Sequence, residues 1–333
     1  MNEPILSLKG VSQIYTKRSA KGWRRVPVRA VDGVDLDIRE GETLAIVGES
    51  GSGKSTLAKL LLMLNRPTQG QIAYRGLKLD TLNHERRSQY RRQVQAVFQD
   101  PSSSLNPRMT VEETLRHVAN RHNLVARLNQ RDFLAAQLAA VGLNPPEQYF
   151  SRYPHQLSGG QQQRIAIARA IMLTPRIIIA DEPLSSLDVS VQAQILQLMS
   201  DLRATTNVGF VIISHDLGAM QSIADRSAVM YRGRIVEIGD AIYRSPAHPY
   251  TRLLLDARLL PNPRGTRVRS PPPKQAAPFA SAETAQGCRF LHRCPHAIEI
   301  CAAIDPQLRL LGLGATQVAC HRAEELSAAT TPV

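Results

Sequence analysis

The chain has 333 residues, of which 43% are hydrophobic and 21% charged, proportions typical of a globular protein with room for a large domain and a small one. Its net charge of +13 and pI near 10.1 favour anionic partners such as phosphate ligands, lipid headgroups or nucleic acid. No apolar run approaches the roughly 18 residues of a membrane-spanning helix, and residues 1–10 lack the pattern of a signal peptide. We therefore expect a cytosolic protein that reaches a membrane only through a partner.

The basic residues are concentrated in two runs without acidic residues. Residues 17–29 carry six Lys or Arg, and residues 257–282 carry five. The first run is interpreted as a loop. Solvated basic loops and contact with anionic lipid headgroups are both compatible with these runs. Nucleic acid is disfavoured, because neither run is interleaved with aromatic residues for base stacking.

The hydrophobic pattern alternates between strands and helices along the chain. Strands are predicted over 5–15, 30–38, 43–48, 176–181 and 209–214. Helices are predicted over 56–65, 159–172 and 191–204, and residues 109–156 are mostly helical with a break at 142–146. This alternation predicts an α/β core with a largely parallel sheet.

The composition changes after Asp256. Residues 257–284 are rich in Pro and Arg, which predicts an extended linker. The predicted organisation is a main domain over 1–256, this linker, a cysteine-bearing module over 285–325 and a tail over 326–333.

The stretch GESGSGKST fits the pattern G-x-x-x-x-G-K-[ST] between a predicted strand and a predicted helix. Its glycines let main-chain N–H groups turn toward phosphate oxygens, and Lys54 adds a charge at the β- and γ-phosphates. The Ser55 hydroxyl is a ligand for Mg²⁺, and the helix from Lys54 adds its N-terminal dipole. The residues assigned to nucleotide triphosphate are Gly48, Glu49, Ser50, Gly51, Ser52, Gly53, Lys54, Ser55 and Thr56.

A second motif, RIIIADEP, is an apolar strand that ends in two acidic residues. Together with the P-loop, it predicts that Asp181 helps to hold Mg²⁺. Glu182 is then placed to polarise the attacking water as a general base.

A third motif, LSGGQ, begins a predicted helix with a serine and two glycines, a pattern that makes a second anion-binding helix end. One chain has no obvious use for two such ends on one ATP. Two chains that face each other do, because each motif then caps the γ-phosphate held by the other chain. The residues assigned to this role are Ser158, Gly159, Gly160 and Gln161.

With SSLD at 185–188 and ISHD at 213–216, these motifs resemble an ATP-binding cassette (ABC) ATPase, in order from residue 5 to about 240. The resemblance implies a P-loop NTPase fold with a RecA-like parallel-sheet core, an antiparallel β subdomain and a helical subdomain at about 100–160.

The resemblance also assigns roles to single residues. Gln99 matches the glutamine that contacts Mg²⁺ and the attacking water, and His215 matches the histidine near the γ-phosphate. Asp188 matches the aspartate at the dimer contact. Tyr15 either stacks on adenine, as an aromatic residue does in the family, or packs at a strand end. The implied Mg²⁺ ligands are Ser55, Gln99 and Asp181.

Three further features resemble the ATPase subunits of oligopeptide/dipeptide permeases: residues 98–115, residues 245–257 and the cysteine-bearing tail. Residues 181–199 and the length resemble the second ATPase of such systems. The implied partners are two transmembrane permease subunits, a related second ATPase and, indirectly, an extracytoplasmic solute-binding protein. The implied location is the cytoplasmic face of the inner membrane. Importers of nickel or glutathione, an exporter ATPase and an ABC ATPase acting on nucleic acid are the alternatives, and no nucleic acid is expected.

The cysteines follow the spacing C-x5-C-x6-C-x18-C, which is neither that of a zinc ribbon nor that of a bacterial ferredoxin. Inert thiols, zinc and an iron–sulfur cluster all remain open, and His292 and His296 are additional candidate zinc ligands. The resemblance implies a [4Fe–4S] cluster, because some similar permease ATPases hold one in a four-cysteine tail. The four residues are Cys288, Cys294, Cys301 and Cys320.

Overall fold

The structure is a computed structural model that describes residues 3–18, 25–100, 104–240, 242–257, 287–312 and 315–328. The linker predicted over 257–284 lies outside the described residues from position 258 onward, and so does the tail from position 329. The chain forms two compact units. The described residues within 1–9, 35–43 and 57–214 form unit one, and the described residues within 10–34, 44–56 and 215–333 form unit two.

Strands and helices alternate along much of the described chain. The strands are β1 (Leu6–Arg18), β2 (Arg25–Ile38), β3 (Thr43–Val47), β4 (Gln69–Tyr74), β5 (Leu77–Lys78), β6 (Val94–Val97), β7 (Ile177–Asp181), β8 (Gly209–Ser214), β9 (Arg226–Tyr231), β10 (Arg234–Gly239), β11 (Arg309–Leu310) and β12 (Gln317–Val318). The helices are α1 (Lys54–Leu61), α2 (His84–Gln93), α3 (Val111–His122), α4 (Gln130–Ala140), α5 (Glu147–Phe150), α6 (Gly159–Ile171), α7 (Val189–Thr206), α8 (Leu217–Met220), α9 (Pro249–Asp256), α10 (Ile300–Ala303) and α11 (Ala323–Ala328).

Unit one contains a parallel arrangement of β6, β7 and β8, with β7 in the middle. The strand β7 reads Ile-Ile-Ile-Ala-Asp, and its first four residues are buried. Such a continuous apolar run fits a strand that is covered on both faces. Asp181 therefore lies at the carboxyl end of a buried strand, where the chain leaves the sheet.

Helix α3 of unit one begins at a well-defined cap. The Thr110 hydroxyl accepts the N–H of Glu113, and the Glu113 carboxylate accepts the N–H of Thr110, so α3 starts with a capping box. Helix α4 follows α3, and a left-handed Gly142 leads toward the short helix α5. The predicted helical pattern over 109–156 is confirmed, including its break at 142–146.

Unit two contains a mixed sheet with the order β3-β9-β10-β12-β11. Strands β3 and β9 are parallel, whereas β10 pairs antiparallel with both β9 and β12. Because β12 and β11 belong to the region predicted as the cysteine-bearing module, this region extends the sheet of unit two. The N–H of Ala319 donates to the carbonyl of Val236 at 2.8 Å and adds to this attachment.

The segment SPAHPYT (residues 245–251) packs against the same sheet, and a buried carboxylate of that sheet holds it. Glu237, on β10, has no exposed surface and accepts the N–H groups of Ala247 and His248 at 2.7 and 3.0 Å. The His248 ring accepts the N–H of Tyr250 and caps α9. Burial lowers the pKa of His248 to about 3, so this cap works as a neutral ring.

The strands and helices predicted outside the basic run are present, with shifted ends. The prediction that residues 17–29 form a loop is wrong in part, because β1 continues to Arg18 and β2 starts at Arg25. The β-branched residues Val26 and Val28 favour a strand there. Residues 19–24 of that run lie outside the described part. In the part of the chain that the structure describes, no helix is long and apolar enough to cross a bilayer.

Candidate active site

The P-loop of unit two has a shape that only glycine permits at two positions. Gly48 and Gly53 have φ angles of 156° and 108°. A Cβ on Gly48 would overlap the carbonyl oxygen of Met230, and one on Gly53 would overlap that of Ala30. The two glycines therefore let the loop approach neighbouring main chain closely.

Lys54 is the first residue of α1 and is only 3% exposed. Its ammonium donates to the carbonyl oxygens of Gly48 and Glu49 at 2.7 and 3.0 Å. These bonds hold the charge inside the curve of the loop, where a buried ammonium needs acceptors. The other predicted residues of the loop differ in exposure: Ser50 and Gly51 are exposed, Ser52 is buried, and Ser55 and Thr56 are half-buried.

Asp181 and Glu182 follow one another at the end of β7 in unit one, and both are half-buried. Glu182 has a φ of 46°, in the left-handed region that a non-glycine residue rarely adopts. Its N–H donates to the carbonyl of Ile213 at 2.9 Å, which anchors the residue in this conformation. Its carboxylate accepts a hydrogen bond from Gln99 Nε2 at 3.4 Å. Two residues that lie 83 positions apart are thus brought together.

The LSGGQ segment forms the start of α6, also in unit one. The Ser158 hydroxyl accepts the N–H of Gln161, and the Gln161 side chain accepts the N–H of Ser158, which completes a capping box. A Cβ on Gly160 would lie 2.6 Å from Val191, in the first turn of α7. The small size of Gly160 thus lets the capped end of α6 approach α7, which begins directly after the exposed residue Asp188.

The two remaining predicted residues, Tyr15 and His215, lie in unit two and are both exposed. Tyr15 is on β1 and is 37% exposed. His215 follows β8 and precedes Asp216, which accepts the N–H groups of Gly218 and Ala219 and so caps the short helix α8. Both side chains thus lie at the surface of this unit.

The cysteine residues converge on one small cavity in unit two, of about 20 Å³, that His248, Phe290, His296 and His321 also line. Burial, together with the nearby Cys301 and Cys294, raises the pKa of Cys288 to about 12. Burial also raises the pKa of Cys294 to about 11. Among the described residues, no group of three or more Cys, His, Asp or Glu side chains is arranged as a metal site. The thiols therefore share a cavity.

Two arginines that the sequence patterns do not single out, Arg289 and Arg293, connect this cysteine region to the P-loop and its support. Arg293 donates to both carboxylate oxygens of Glu49 at 2.7 and 2.8 Å. Arg289 donates to Asp32 and to the carbonyl of Arg232. Arg293 and Glu49 lie 244 positions apart in the chain, so no local pattern indicates the contact.

Solved structures support the fold assignment. The ATP-binding cassette MJ0796, in a dimeric post-hydrolysis state bound to ADP and Pi, is 30% identical, with 70% of this chain and 97% of that chain covered and a TM-score of 0.60. The cbiO1 protein of Clostridium perfringens, part of an ABC transporter complex, is 25% identical, with 72% and 90% covered and a TM-score of 0.61. The fold and the P-loop geometry define an ABC-type P-loop ATPase.

Sequence relatives narrow the class to a family. The model of the family described as "ABC transporter" matches residues 31–185. The model of the family described as "Oligopeptide/dipeptide transporter, C-terminal region" matches residues 236–301. The di/tripeptide transport ATP-binding protein DppF of Pseudomonas aeruginosa is 41% identical over 97% of this chain and 99% of that protein. The dipeptide transport ATP-binding protein DppF of Escherichia coli is 41% identical over 98% and 96%. The chain belongs to the ATP-binding proteins of oligopeptide and dipeptide ABC transporters.

A matched pair of glycine substitutions tests the P-loop geometry. Gly53→Ala combines a positive φ with an overlap on the Ala30 carbonyl, whereas Gly51→Ala has a positive φ of 81° but nothing within 4 Å. The backbone conformation costs both variants about 1–2 kcal/mol. We expect Gly53→Ala to lose ATP binding by calorimetric titration, and Gly51→Ala to keep most of it. Equal affinities in the two variants would contradict the close-approach argument.

Proposed function

We propose that this chain hydrolyses ATP to drive uptake of dipeptides or oligopeptides through separate permease subunits. The family membership supplies the ATPase activity and its coupling to transport. The peptide substrate is supported by the identity of 41–44% with peptide transport proteins over nearly the whole chain. The solute itself would be selected by an extracytoplasmic binding protein and by the permease.

In this proposal, the P-loop binds the triphosphate of ATP through main-chain N–H groups and the Lys54 ammonium. Mg²⁺ would be held by the Ser55 hydroxyl, the Gln99 amide oxygen and the Asp181 carboxylate. These are all oxygen donors, which suits the preference of Mg²⁺. When bound, Mg²⁺ neutralises charge on the phosphate oxygens. Tyr15 would stack on adenine.

Glu182 would act as the general base for hydrolysis. A carboxylate can take a proton from water as the water oxygen bonds to the γ-phosphorus and the bond from that phosphorus to the β,γ-bridging oxygen breaks, which leaves ADP and phosphate. Removing this proton lowers the activation free energy of hydrolysis. Gln99, whose amide donates to this carboxylate, would orient the base and the water. The left-handed backbone at Glu182 supports this role, since strain of this kind is common where a side chain must be aimed. His215 would assist at the γ-phosphate.

We further infer that the chain works as one of two facing cassettes. The capped start of α6, with Ser158, Gly159, Gly160 and Gln161, would close over the γ-phosphate held by the other cassette. Asp188 would lie at the contact between the two cassettes. The second cassette would be a related, non-identical ATPase. Tighter binding of ATP to the closed pair than to the open pair would supply the energy that moves the permease.

A groove in unit one is the proposed docking site for the permease, at the cytoplasmic face of the inner membrane. Its volume is about 510 Å³, and it lies between α2, β6, α3 and α6. Its cationic lining residues are Arg87, Arg91, Arg121 and Arg169, and His84 and His122 also line it. Phe98 and Val118 add apolar surface. A cytoplasmic helix of the permease that combines acidic and apolar residues would be complementary to this groove.

The substitution Glu182→Gln tests the catalytic assignment. It keeps the shape of the side chain and removes its basicity, so we expect ATP affinity within about twofold of wild type and a fall in hydrolysis of at least about 100-fold. Glu112→Gln on α3, at an exposed ion pair with Arg116, is the matched control with normal hydrolysis. Normal hydrolysis by Glu182→Gln, measured as phosphate release, would exclude Glu182 as the base.

We also propose that Cys288, Cys294, Cys301 and Cys320 hold a [4Fe–4S] cluster, with Zn²⁺ as the alternative. The shared cavity and the four sulfur donors support this proposal. The raised pKa values of Cys288, Cys294 and Cys320 mean that these thiols are neutral without a cation, so metal binding would release protons. The bound cysteines would join the turn at 288–294, helix α10 and the second residue after β12, and so stabilise a region with little core of its own.

Metal analysis of protein purified without oxygen tests this second assignment. We expect a brown protein with visible absorption and about four iron ions per chain, and we expect the Cys301→Ser variant to lose most of both. Cys301 is the buried member of the four and interacts electrostatically with each of the other three, which makes it the informative choice. A colourless protein with stoichiometric zinc, or with no metal, would refute the cluster.

A further inference from the structure

The P-loop contains a carboxylate at an unfavourable place for a phosphate-binding loop. Glu49 directly follows Gly48, and its carbonyl oxygen accepts the Lys54 ammonium at 3.0 Å. Its N–H donates to the Tyr250 hydroxyl at 2.8 Å. The main chain of Glu49 is therefore part of the lysine cradle. Its side chain carries a negative charge that opposes a bound triphosphate unless a cation compensates it.

Arg293 supplies this compensation through a two-point contact. Its two terminal nitrogens lie 2.7 and 2.8 Å from the two oxygens of Glu49. Paired contacts of this kind are stronger and more directional than a single ion pair. The Arg293 guanidinium lowers the pKa of Glu49, so the pair is fully ionised at neutral pH. Glu49 therefore remains charged, and the arginine decides how much of that charge a ligand experiences.

The Arg293 guanidinium also lies close to three aromatic rings. Its central carbon lies 5.8, 5.9 and 5.7 Å from the ring centroids of Tyr231, Tyr250 and Phe290. Such contacts favour a cation over a ring face and limit the motion of a long side chain. Arg293 is thus oriented by groups outside the P-loop, and Tyr250 contacts the same Glu49 from its hydroxyl end.

A second arginine of the same segment is linked to the P-loop through a chain of hydrogen bonds that ends at Ser52. Arg289 donates to Asp32, and the Asp32 N–H donates to the carbonyl of Gly233 at 2.9 Å. The Gly233 N–H then donates to the carbonyl of Ser52 at 2.8 Å. Arg289 follows Cys288 and Arg293 precedes Cys294, so one short cysteine-flanked segment supports the P-loop at two points.

We propose that Arg293 is a positioning residue for the nucleotide site: by neutralising and orienting Glu49, it makes ATP binding depend on the segment 288–294. This inference rests on the assignment of the P-loop to ATP and goes beyond it, because it makes the cysteine region part of the nucleotide-binding machinery. Any change that displaces segment 288–294 would uncover the Glu49 carboxylate beside the phosphates and weaken ATP binding. The partner of this electrostatic contact is the polyphosphate of the nucleotide.

A double-mutant cycle on the full chain tests the proposal, with Mg-ATP affinity measured by calorimetric titration. We expect Arg293→Gln to raise the dissociation constant roughly fivefold to tenfold, because the Glu49 charge is then uncompensated. In a Glu49→Gln background, the same substitution should change the constant by less than about twofold. Arg293→Lys, which keeps the charge, should recover most of the affinity.

The matched control is Arg309→Gln. Arg309 makes a similar two-point contact with Glu324 in the same C-terminal region. Neither residue is one of the P-loop contacts described above. We expect this variant to bind ATP within about twofold of wild type. Equal losses from Arg293→Gln in both backgrounds would mean that Arg293 acts through folding or directly on ATP, and would overturn the proposal. An unchanged affinity in Arg293→Gln would overturn it as well. Failure of the wild-type chain to bind ATP would instead refute the proposed function.

Discussion

The structure of the nucleotide-binding half of this protein depends on how the Lys54 ammonium is held. This charge is almost completely removed from solvent, and main-chain carbonyls of Gly48 and Glu49 accept its protons. Those carbonyls can point inward only because the loop is tightly curved, and the curve requires glycine at positions where any side chain would overlap neighbouring main chain. The loop shape, the burial of the charge and the start of α1 therefore depend on one another.

The C-terminal region contacts both the P-loop and the sheet that leads into it. Strands β12 and β11 extend the sheet that contains β3, which leads into the P-loop. Arg293 donates to the carboxylate of Glu49, and the Tyr250 hydroxyl accepts the N–H of Glu49. Because Glu237 holds the segment before α9 through buried N–H contacts, the support of Tyr250 is itself anchored to β10. A region recognisable in the sequence by its cysteines thus also contacts the P-loop.

Local patterns predict the features that depend on neighbouring residues. The run Ile177–Asp181, the Ser158 cap and the P-loop spacing each carry their signal within about ten residues, and each appears as expected. The loop prediction for the basic run is wrong at its ends because β1 and β2 extend into it, and the β-branched residues Val26 and Val28 favour a strand at the start of β2. The contact of Arg293 with Glu49 has no sequence signal because its partners lie far apart in the chain. Contacts set by tertiary packing leave no spacing that a single sequence reveals.

The central claim is that the buried Lys54 ammonium is the charge that this loop presents to ATP. The most direct measurement is the Mg-ATP dissociation constant of Lys54→Gln beside that of Lys59→Gln, which changes an exposed lysine on the same helix. Because the lysine acts at short range in a site with little water, the account predicts a loss of at least about 100-fold for Lys54→Gln. It predicts a change below about twofold for Lys59→Gln. Similar affinities in the two variants would contradict the account.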